Sequence, residues 1–392
     1  MDNERVSRVR EAMRREKLDL LVCRMPENVL FLSGHWPLAG VTVLLFPADG
    51  DPVCILPQTE EREARQDLGD FQLKPYPYGT LTSGDPDASL HRLLSEQAAR
   101  LSPQRIGFEG DFTTMAPPWN AAEPAIPARA VEALFRRGFP GAEFIDATPL
   151  LLSLRSRKTA AEAERLRMVN EIAAFGLEAF AAAVAPGIRG IDLVATVESA
   201  VLLRGTGHKG ARRVRAFAQV ATGAAETSIG WRPSEVSSDR KMEAGDIALL
   251  ELAVVADGYW SDRTRTRIAG KATEGQRRLF DAIALAQATA IKAVRPGVRA
   301  GDVDAAARNV LEAAGFGKEF LHITGHGTGF RYHEPHPILA PGSDEILEEG
   351  MVFSVEPGAY SEVMGGMRIE DNVLVTGTGA EVLGPAERSL TK

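Results

Sequence analysis

The chain has 392 residues, of which 44% are hydrophobic and 25% charged, so we expect a globular protein of two or three domains. Its net charge of -8 comes without clusters of basic residues, which argues against nucleic acid as a partner. No run approaches about 18 apolar residues and the N-terminus has no apolar signal core, so we expect no membrane partner and a cytoplasmic location. Cys23 and Cys54 lie in apolar, strand-like runs and are expected to be reduced, buried thiols.

The first part of the chain alternates short helical and strand patterns, which is typical of a small α/β domain with a mixed sheet. Helices are predicted at 6–17, 60–66, 91–101 and 128–137, and strands at 18–23, 29–32, 41–46 and 53–56. Four prolines mark a loop before the last of these helices: Pro117, Pro118, Pro124 and Pro127. A charged helix at 159–180 begins a segment of different character, so the predicted domains are 1–152 and 153–392.

The second domain contains an internal repeat. The string PGIRGIDL at 186–193 recurs as PGVRAGDV at 296–303, an offset of 110, and each copy lies between an alanine-rich helix and a further helix. Two homologous halves related by a pseudo-two-fold axis are the expected arrangement. The predicted fold class is therefore α/β, of the α+β kind, with a small first domain and a duplicated second one.

Four carboxylates and one histidine lie in local settings that favour a metal site. Glu251 ends an apolar run, and Asp262 follows in a second strand-like stretch, so a hairpin with a tight turn is predicted to bring them together. Glu356 and Glu370 repeat this pattern at offsets of 105 and 108, and His326 lies between glycines that let backbone approach closely. These residue types fit a site for two divalent metals with an acidic group that handles the proton of a water.

Three strings in this region make a resemblance specific. HITGHGTG at 322–329, VEPG at 355–358 and RIED at 368–371 resemble the motifs of the pita-bread metallopeptidases of family M24, and within them the Xaa-Pro peptidases, that is, prolidases and aminopeptidases P. The match runs in motif order from Leu154 to the C-terminus and extends more loosely over the first 150 residues. It implies a creatinase-like N-terminal α/β domain followed by a pita-bread catalytic domain.

The resemblance implies two divalent metal ions, manganese, cobalt or zinc, as cofactors. Asp262 and Glu370 would bridge both ions, Glu251 would bind one, and His326 and Glu356 would bind the other. Oxygen-rich ligation with one imidazole suits manganese better than a thiolate site would. Glu356 would also take the proton of the water and pass it to the leaving nitrogen.

Three further residues resemble catalytic positions of the family. His333 would contact the substrate and steady the tetrahedral intermediate, and His322 would support the site from behind. Arg368 resembles the active-site arginine, with a salt bridge to Glu370 or Asp371 as the alternative. His336 is the third histidine of the cluster with His322 and His333. A place in the site and an ordinary surface position are equally expected for it.

Substrate contacts are predicted at several positions. Arg331, two residues before His333, or Arg368 could bind a free carboxylate and so restrict the enzyme to dipeptides; a solvent-exposed Arg331 is the alternative. Family members are commonly dimers in which the N-terminal domain reaches the partner's active site. His35 and Trp36 could therefore line a neighbouring pocket, with ordinary packing as the alternative.

The chain departs from the family pattern at two places. Glu251 stands where the family has Asp, and the longer side chain displaces the ion or the strand by about one methylene. The substrate-facing His is missing, since no His lies between His208 and His322. Trp231 is predicted to occupy that region, in a segment that is about three residues longer than usual.

The leading functional prediction is a prolidase, which cleaves the Xaa-Pro bond of dipeptides, acting as a homodimer on small peptides. An aminopeptidase P acting on longer peptides has the same chemistry. A metal-free creatinase-like hydrolase or a non-catalytic peptide-binding module is the alternative from another class.

Overall fold

The structure is a computed structural model, and it describes residues 2–37, 40–69, 71–78, 85–110, 128–232, 238–385 and 387–391. The proline-marked loop predicted before residue 128 lies outside these ranges. The described residues fall into two compact units, one up to Arg155 and one from Ser156 onward. This division lies close to the domain boundary predicted after residue 152, which remains a prediction. None of the described helices is long and apolar enough to cross a membrane.

The first unit is built around a mixed six-stranded sheet. Its strands are β1 (Leu20–Cys23), β2 (Val43–Pro47), β3 (Val53–Pro57), β4 (Gln72–Tyr76), β5 (Arg105–Phe108) and β6 (Glu143–Asp146). Its helices are α1 (Asn3–Arg15), α2 (Pro26–Ser33), α3 (Glu61–Leu68), α4 (Pro86–Leu101), α5 (Ala128–Gly138) and α6 (Thr148–Ser156), the last of which ends at the division. The strand order is β4-β3-β2-β1-β5-β6, and β2 runs antiparallel to both of its neighbours. Cys23 and Cys54 are buried in this sheet as free thiols, as predicted.

The strand predicted at 29–32 is wrong, because these residues form the centre of α2. Pro26 opens the helix, Gly34 ends it in the left-handed conformation, and the Glu109 carboxylate accepts from the Met25 amide at its start. The helix is buried on almost every side. A short, wholly apolar run therefore carries no periodicity that separates a buried helix from a buried strand.

The second unit contains five helices and ten strands within its described residues. The helices are α7 (Ala160–Ala183), α8 (Gly190–Gly205), α9 (Gly223–Thr227), α10 (Glu274–Ala293) and α11 (Ala300–Ala313). The strands are β7 (Val214–Thr222), β8 (Ile247–Ala256), β9 (Tyr259–Ile268), β10 (Gly325–Gly327), β11 (Glu334–Leu339), β12 (Val352–Val355), β13 (Gly358–Ser361), β14 (Gly365–Arg368), β15 (Asp371–Val375) and β16 (Ala380–Val382). They form a three-stranded sheet, β7-β8-β9, a five-stranded sheet, β11-β10-β12-β15-β16, and the hairpin β13-β14.

The two halves of this unit repeat each other in detail, which agrees with the repeat in the sequence. Helices α7 and α10 both begin with a capping box, formed by Thr159 with Glu162 and by Thr273 with Gln276. After each helix a glycine amide donates to the segment before the next carboxylate-bearing strand. Gly187 donates to Met242 at 2.7 Å, and its counterpart Gly297 donates to Leu347 at 2.8 Å.

Candidate metal centre

Strands β8 and β9 hold the first pair of carboxylates. Glu251 lies opposite Thr264 in the antiparallel register and Asp262 lies opposite Ala253, so both acids project from one face of the hairpin. The predicted hairpin is present. The sequence suggested that Glu251 ends its strand, and this prediction is wrong. Glu251 lies in the middle of a ten-residue strand, because the apolar run continues past it to Ala256. The Thr264 hydroxyl lies 2.7 Å from both Glu251 Oε2 and Glu370 Oε2.

The second half supplies the other carboxylates and the histidine. Glu356 follows β12 and Glu370 precedes β15, and these two strands pair with each other. His326 lies on β10, where its Nδ1 donates to the Gly327 carbonyl at 3.0 Å. In the neutral ring Nε2 then carries the lone pair, and this atom lies 3.4 Å from Asp262 and 3.3 Å from Glu356. The structure thus brings all five predicted donors to one place.

The donors of this cluster fit a bound metal. Three sets of ligand atoms each lie within 4.8 Å of one another: Asp262, His326 and His333; His326, Glu356 and Glu370; Glu251, Asp262 and Glu370. Within the described residues, the buried Asp262 Oδ1 and Glu370 Oε1 accept no hydrogen bond. Buried oxygens without a donor are costly, and a divalent cation would satisfy them.

The pKa values of the carboxylates in the cluster also favour a bound cation. Burial, and then the charge of Glu370, raise the pKa of Asp262 well above its usual range. Burial, and then Glu356, do the same to the pKa of Glu370, and burial raises the pKa of Glu356 to about 7. The protein's own groups therefore leave negative charge in this cluster that is not balanced.

Glu251 differs from the other carboxylates, because protein donors already occupy it. The Tyr332 hydroxyl donates to one oxygen, and Arg368 and Thr264 donate to the other. Although burial opposes ionisation, Arg368 and these hydrogen bonds lower the pKa of Glu251 to about 2. The alternative predicted for Arg368, a salt bridge to Glu370 or Asp371, is wrong, since its guanidinium pairs with Glu251.

A chain of hydrogen bonds connects Arg368 to His322. Arg368 donates to the Tyr360 oxygen at 2.7 Å, and the Tyr360 hydroxyl lies 3.1 Å from Nε2 of His322. The other ring nitrogen donates to the Ile323 carbonyl at 2.7 Å. Burial, and then Arg368, lower the pKa of His322 to about 3, so the ring is neutral. Protein groups use both nitrogens, which suits a supporting position rather than proton transfer.

A cavity of about 150 Å³ opens beside the cluster. Its lining includes four of the five donors, the predicted residues His322, His333, Arg368 and Trp231, and also Arg232 and Tyr332. Glu370 is not part of the lining. Arg331 is not part of the lining, and its side chain is only 9% exposed, so the solvent-exposed alternative is wrong. Its predicted role in binding substrate stays a prediction.

The predicted substrate residues of the first unit have a separate setting. The His35 ring is fully buried, with Nδ1 2.9 Å from Asp67 and Nε2 3.3 Å from Glu60. These contacts agree with the packing alternative for His35. Trp36 is partly exposed. That these two residues line a partner's pocket stays a prediction. His336 is exposed and pairs with Glu345 at 3.0 Å.

Sequence reasoning missed four polar residues of the centre. Thr264 could have been found, because strand periodicity places it on the same face as Asp262. Tyr332 adjoins His333, and Arg232 adjoins Trp231, but no motif singled them out. Tyr360 reaches the centre through the hairpin β13-β14, for which no spacing rule was available.

Comparisons with known proteins agree with this geometry. The model of the Creatinase/Prolidase N-terminal domain matches residues 5–157, and that of metallopeptidase family M24 matches residues 164–377. The chain is 28% identical to a Xaa-Pro dipeptidase of Pyrococcus furiosus, over 99% of both chains. The solved prolidase of Pyrococcus horikoshii superposes with a TM-score of 0.80 at 26% identity, over 99% of this chain and 100% of the other. A Xaa-Pro dipeptidase of Bacillus anthracis gives a TM-score of 0.81 at 26% identity, over 99% of both chains. The predicted pita-bread fold is thereby confirmed, and the chain is a metallopeptidase that belongs to family M24.

Proposed function

We propose that this metallopeptidase is a prolidase that hydrolyses the Xaa-Pro bond of dipeptides with two divalent metals, manganese, cobalt or zinc. The observation that carries the proposal is the buried cluster of Asp262, His326, Glu356 and Glu370, whose negative charge the protein leaves unbalanced beside a small cavity. The likeness to Xaa-Pro dipeptidases over the whole chain supports the substrate class. The size of the cavity supports a small substrate, since pockets for drug-sized ligands hold about 300–1,000 Å³.

Asp262, Glu370, His326, Glu356 and Glu251 would hold the metals. Bound there, the ions would lower the pKa of a water and polarise the scissile carbonyl. Glu356 takes the proton of the attacking water and returns it to the proline nitrogen as the bond breaks.

His333 stabilises the intermediate, while His322 and Arg368 position Glu251. His333 lies with its ring centroid 4.4 Å from that of His326 and lines the cavity, so it donates to the oxygen that becomes negative in the tetrahedral intermediate. His322 and Tyr360 orient Arg368, which in turn holds Glu251. The neutral form of His322 keeps a further positive charge away from Arg368.

Hydrolysis of Ala-Pro and Ala-Pro-Ala, with manganese, cobalt or zinc added to metal-free protein, tests the proposal. Cleavage of Ala-Pro alone supports a prolidase, whereas faster cleavage of Ala-Pro-Ala makes the chain an aminopeptidase P. If no metal restores cleavage of either peptide, the proposal is wrong.

A metal-free hydrolase of this fold is the second candidate, and the neutralisation of Glu251 by Arg368 favours it. Elemental analysis decides between the two. Two equivalents of metal support the prolidase, and none after supplementation supports the metal-free enzyme. We further propose that the protein is cytoplasmic and forms a homodimer. Light scattering of the purified protein checks the oligomeric state.

A further inference from the structure

Arg232 is a guanidinium in the cavity wall that protein acceptors leave available. Among the residues that the structure describes, its side chain donates no hydrogen bond and forms no ion pair; its contact is the Trp231 ring, whose centroid lies 5.6 Å from Cζ. Arg368, the other arginine of the wall, donates to Glu251, Thr264, Tyr360 and the Gly230 carbonyl. Arg368 therefore has little capacity left for a substrate anion.

The catalytic centre itself holds the turn that carries Arg232. Arg368 donates to the Gly230 carbonyl at 3.1 Å, and the Gly366 amide on β14 donates to the Thr227 hydroxyl at the end of α9 at 3.0 Å. A Cβ on Gly230 would lie 2.7 Å from the Cδ2 methyl of Leu249, so a side chain there would displace Leu249 or the turn. The Arg232 amide closes the turn on the Ile229 carbonyl at 3.0 Å. These contacts fix the backbone that presents the guanidinium.

The chemistry of this wall fits an organic carboxylate. Arg232 and Trp231 are both exposed, and Trp231 retains 39% of its surface. A guanidinium binds a carboxylate through two parallel hydrogen bonds, and an adjacent aromatic ring offers apolar contact. A Xaa-Pro dipeptide carries its free carboxylate one residue beyond the scissile bond, where a longer peptide carries a neutral amide.

We propose that Arg232 binds the free C-terminal carboxylate of the substrate and thereby selects dipeptides over longer peptides. This assignment rests on the proposed prolidase function. The sequence suggested Arg331 or Arg368 as the residue that binds this carboxylate, and the proposal assigns the role to Arg232 instead. Arg232 lies on the turn where the chain lacks the family's substrate-facing histidine. Trp231 packs on the apolar part of the bound dipeptide.

Kinetics of Arg232→Ala on Ala-Pro and on Ala-Pro-amide test the proposal. A charge-assisted, bidentate contact predicts that KM for Ala-Pro rises about 10- to 100-fold while kcat hardly changes. The amide lacks the carboxylate, so its kinetics should be the same in both proteins. Arg232→Lys should recover part of the loss. Arg204→Ala is the control for loss of an arginine outside the cavity: Arg204 lies 4.1 Å from the Phe175 ring and 2.8 Å from Glu178, and its removal should leave the kinetics on both substrates unaffected.

Two results would overturn the assignment: an unchanged KM for Ala-Pro, or an equal loss on the acid and the amide. If wild-type protein cleaves neither compound with any metal, the proposed function fails by itself. Calorimetric binding of Ala-Pro and its amide then tests Arg232 separately. A preference for the acid that disappears in Arg232→Ala supports a carboxylate site, and equal binding of acid and amide to wild type rejects it.

Discussion

One face of β9 turns Asp262 and Thr264 toward the metal centre, while the opposite face carries Arg263, Arg265 and Arg267. We call the second the arginine face. Both faces are buried, yet their charges are balanced differently. Asp371 lies 2.6 Å from both Arg263 and Arg265, and main-chain carbonyls near the C-terminus accept further hydrogen bonds from these arginines. The chain therefore supplies counter-charges for the arginine face, Asp371 and Glu387, whereas the carboxylate face needs a cation from outside.

The largest expected effect comes from breaking the arginine face. Burial opposes ionisation of Asp371, but Arg265, Arg263 and Arg388 hold the pKa of its carboxylate well below the usual range. Asp371→Asn would leave these cations without their counter-charge, so the free energy of unfolding should fall by about 3–5 kcal/mol. Urea denaturation of metal-free protein measures this loss.

Glu381→Ala provides the control for that experiment. Glu381 makes two hydrogen bonds of 2.7 Å to Arg167 in a partly exposed pair, so its removal should cost less than about 1 kcal/mol. Similar losses in the two variants would contradict the distinction between a buried and an exposed pair.

The carboxylate face predicts that metal-free protein loses stability as the pH rises. The pKa of Glu356 lies near 7 in the folded state and near 4.5 in the unfolded state, so the folded state binds more protons between these values. The stabilisation is complete below pH 4.5 and is lost as the pH rises through 7, by at most about 3 kcal/mol. Urea denaturation with chelator at pH 5 and pH 8, on wild type and Glu356→Gln, isolates this contribution. A slope identical in the two proteins would count against it.

Asp262→Asn should separate stability from metal binding. Burial and Glu370 make Asp262 costly to ionise in the folded state, and asparagine does not ionise, so the unfolding free energy of metal-free protein should rise by about 1 kcal/mol. The same change should weaken metal binding by at least about 100-fold, because a ligand is lost. Thermal unfolding and metal titration calorimetry measure the two effects. A variant that is destabilised without metal would show that the carboxylates do not repel each other.

Glu251→Asp is expected to change stability and metal affinity the least. Glu251 is the carboxylate of the centre that the protein already neutralises, so this variant tests whether Arg368 competes with the metal. Aspartate is one methylene shorter, so the contacts with Arg368 and Tyr332 should weaken, at a cost of about 1 kcal/mol. The released carboxylate should bind metal about tenfold more tightly. Calorimetric titration with manganese checks this affinity, and an unchanged isotherm would mean that Arg368 does not compete with the ion.

The sequence predicted those parts of the centre that depend on strand position. Glu356 stands out because a carboxylate after an apolar strand is costly to bury without a partner, and the predicted hairpin places Asp262 beside Glu251. Contacts between distant segments were not accessible in the same way. The pair of Arg368 and Glu251, the contact of Tyr360 with His322, and the turn that carries Arg232 join residues whose proximity follows only from the packed fold.

The same limit explains the errors in secondary structure. Residues 29–32 are apolar throughout, so the helix α2 depends on its caps, and one of these, Glu109, is distant in sequence. In β8 apolar residues stand on both sides of Glu251, although the sequence predicted that the strand ends there. Only the ten-residue pairing with β9 shows where the strand stops. Local pattern thus identified most elements, while long-range partners decided their type and length.

The alternation of acids and arginines along β9 also has a consequence for folding. A shift of β9 by one residue against β8 would reverse every side chain, turning Arg263 and Arg265 toward Glu370 and Asp262 toward Asp371. In that arrangement the arginines would cancel the charge that attracts metal, and Asp371 would face another acid. Folding must therefore pair β9 with β8 in the observed register for the centre to attract a metal.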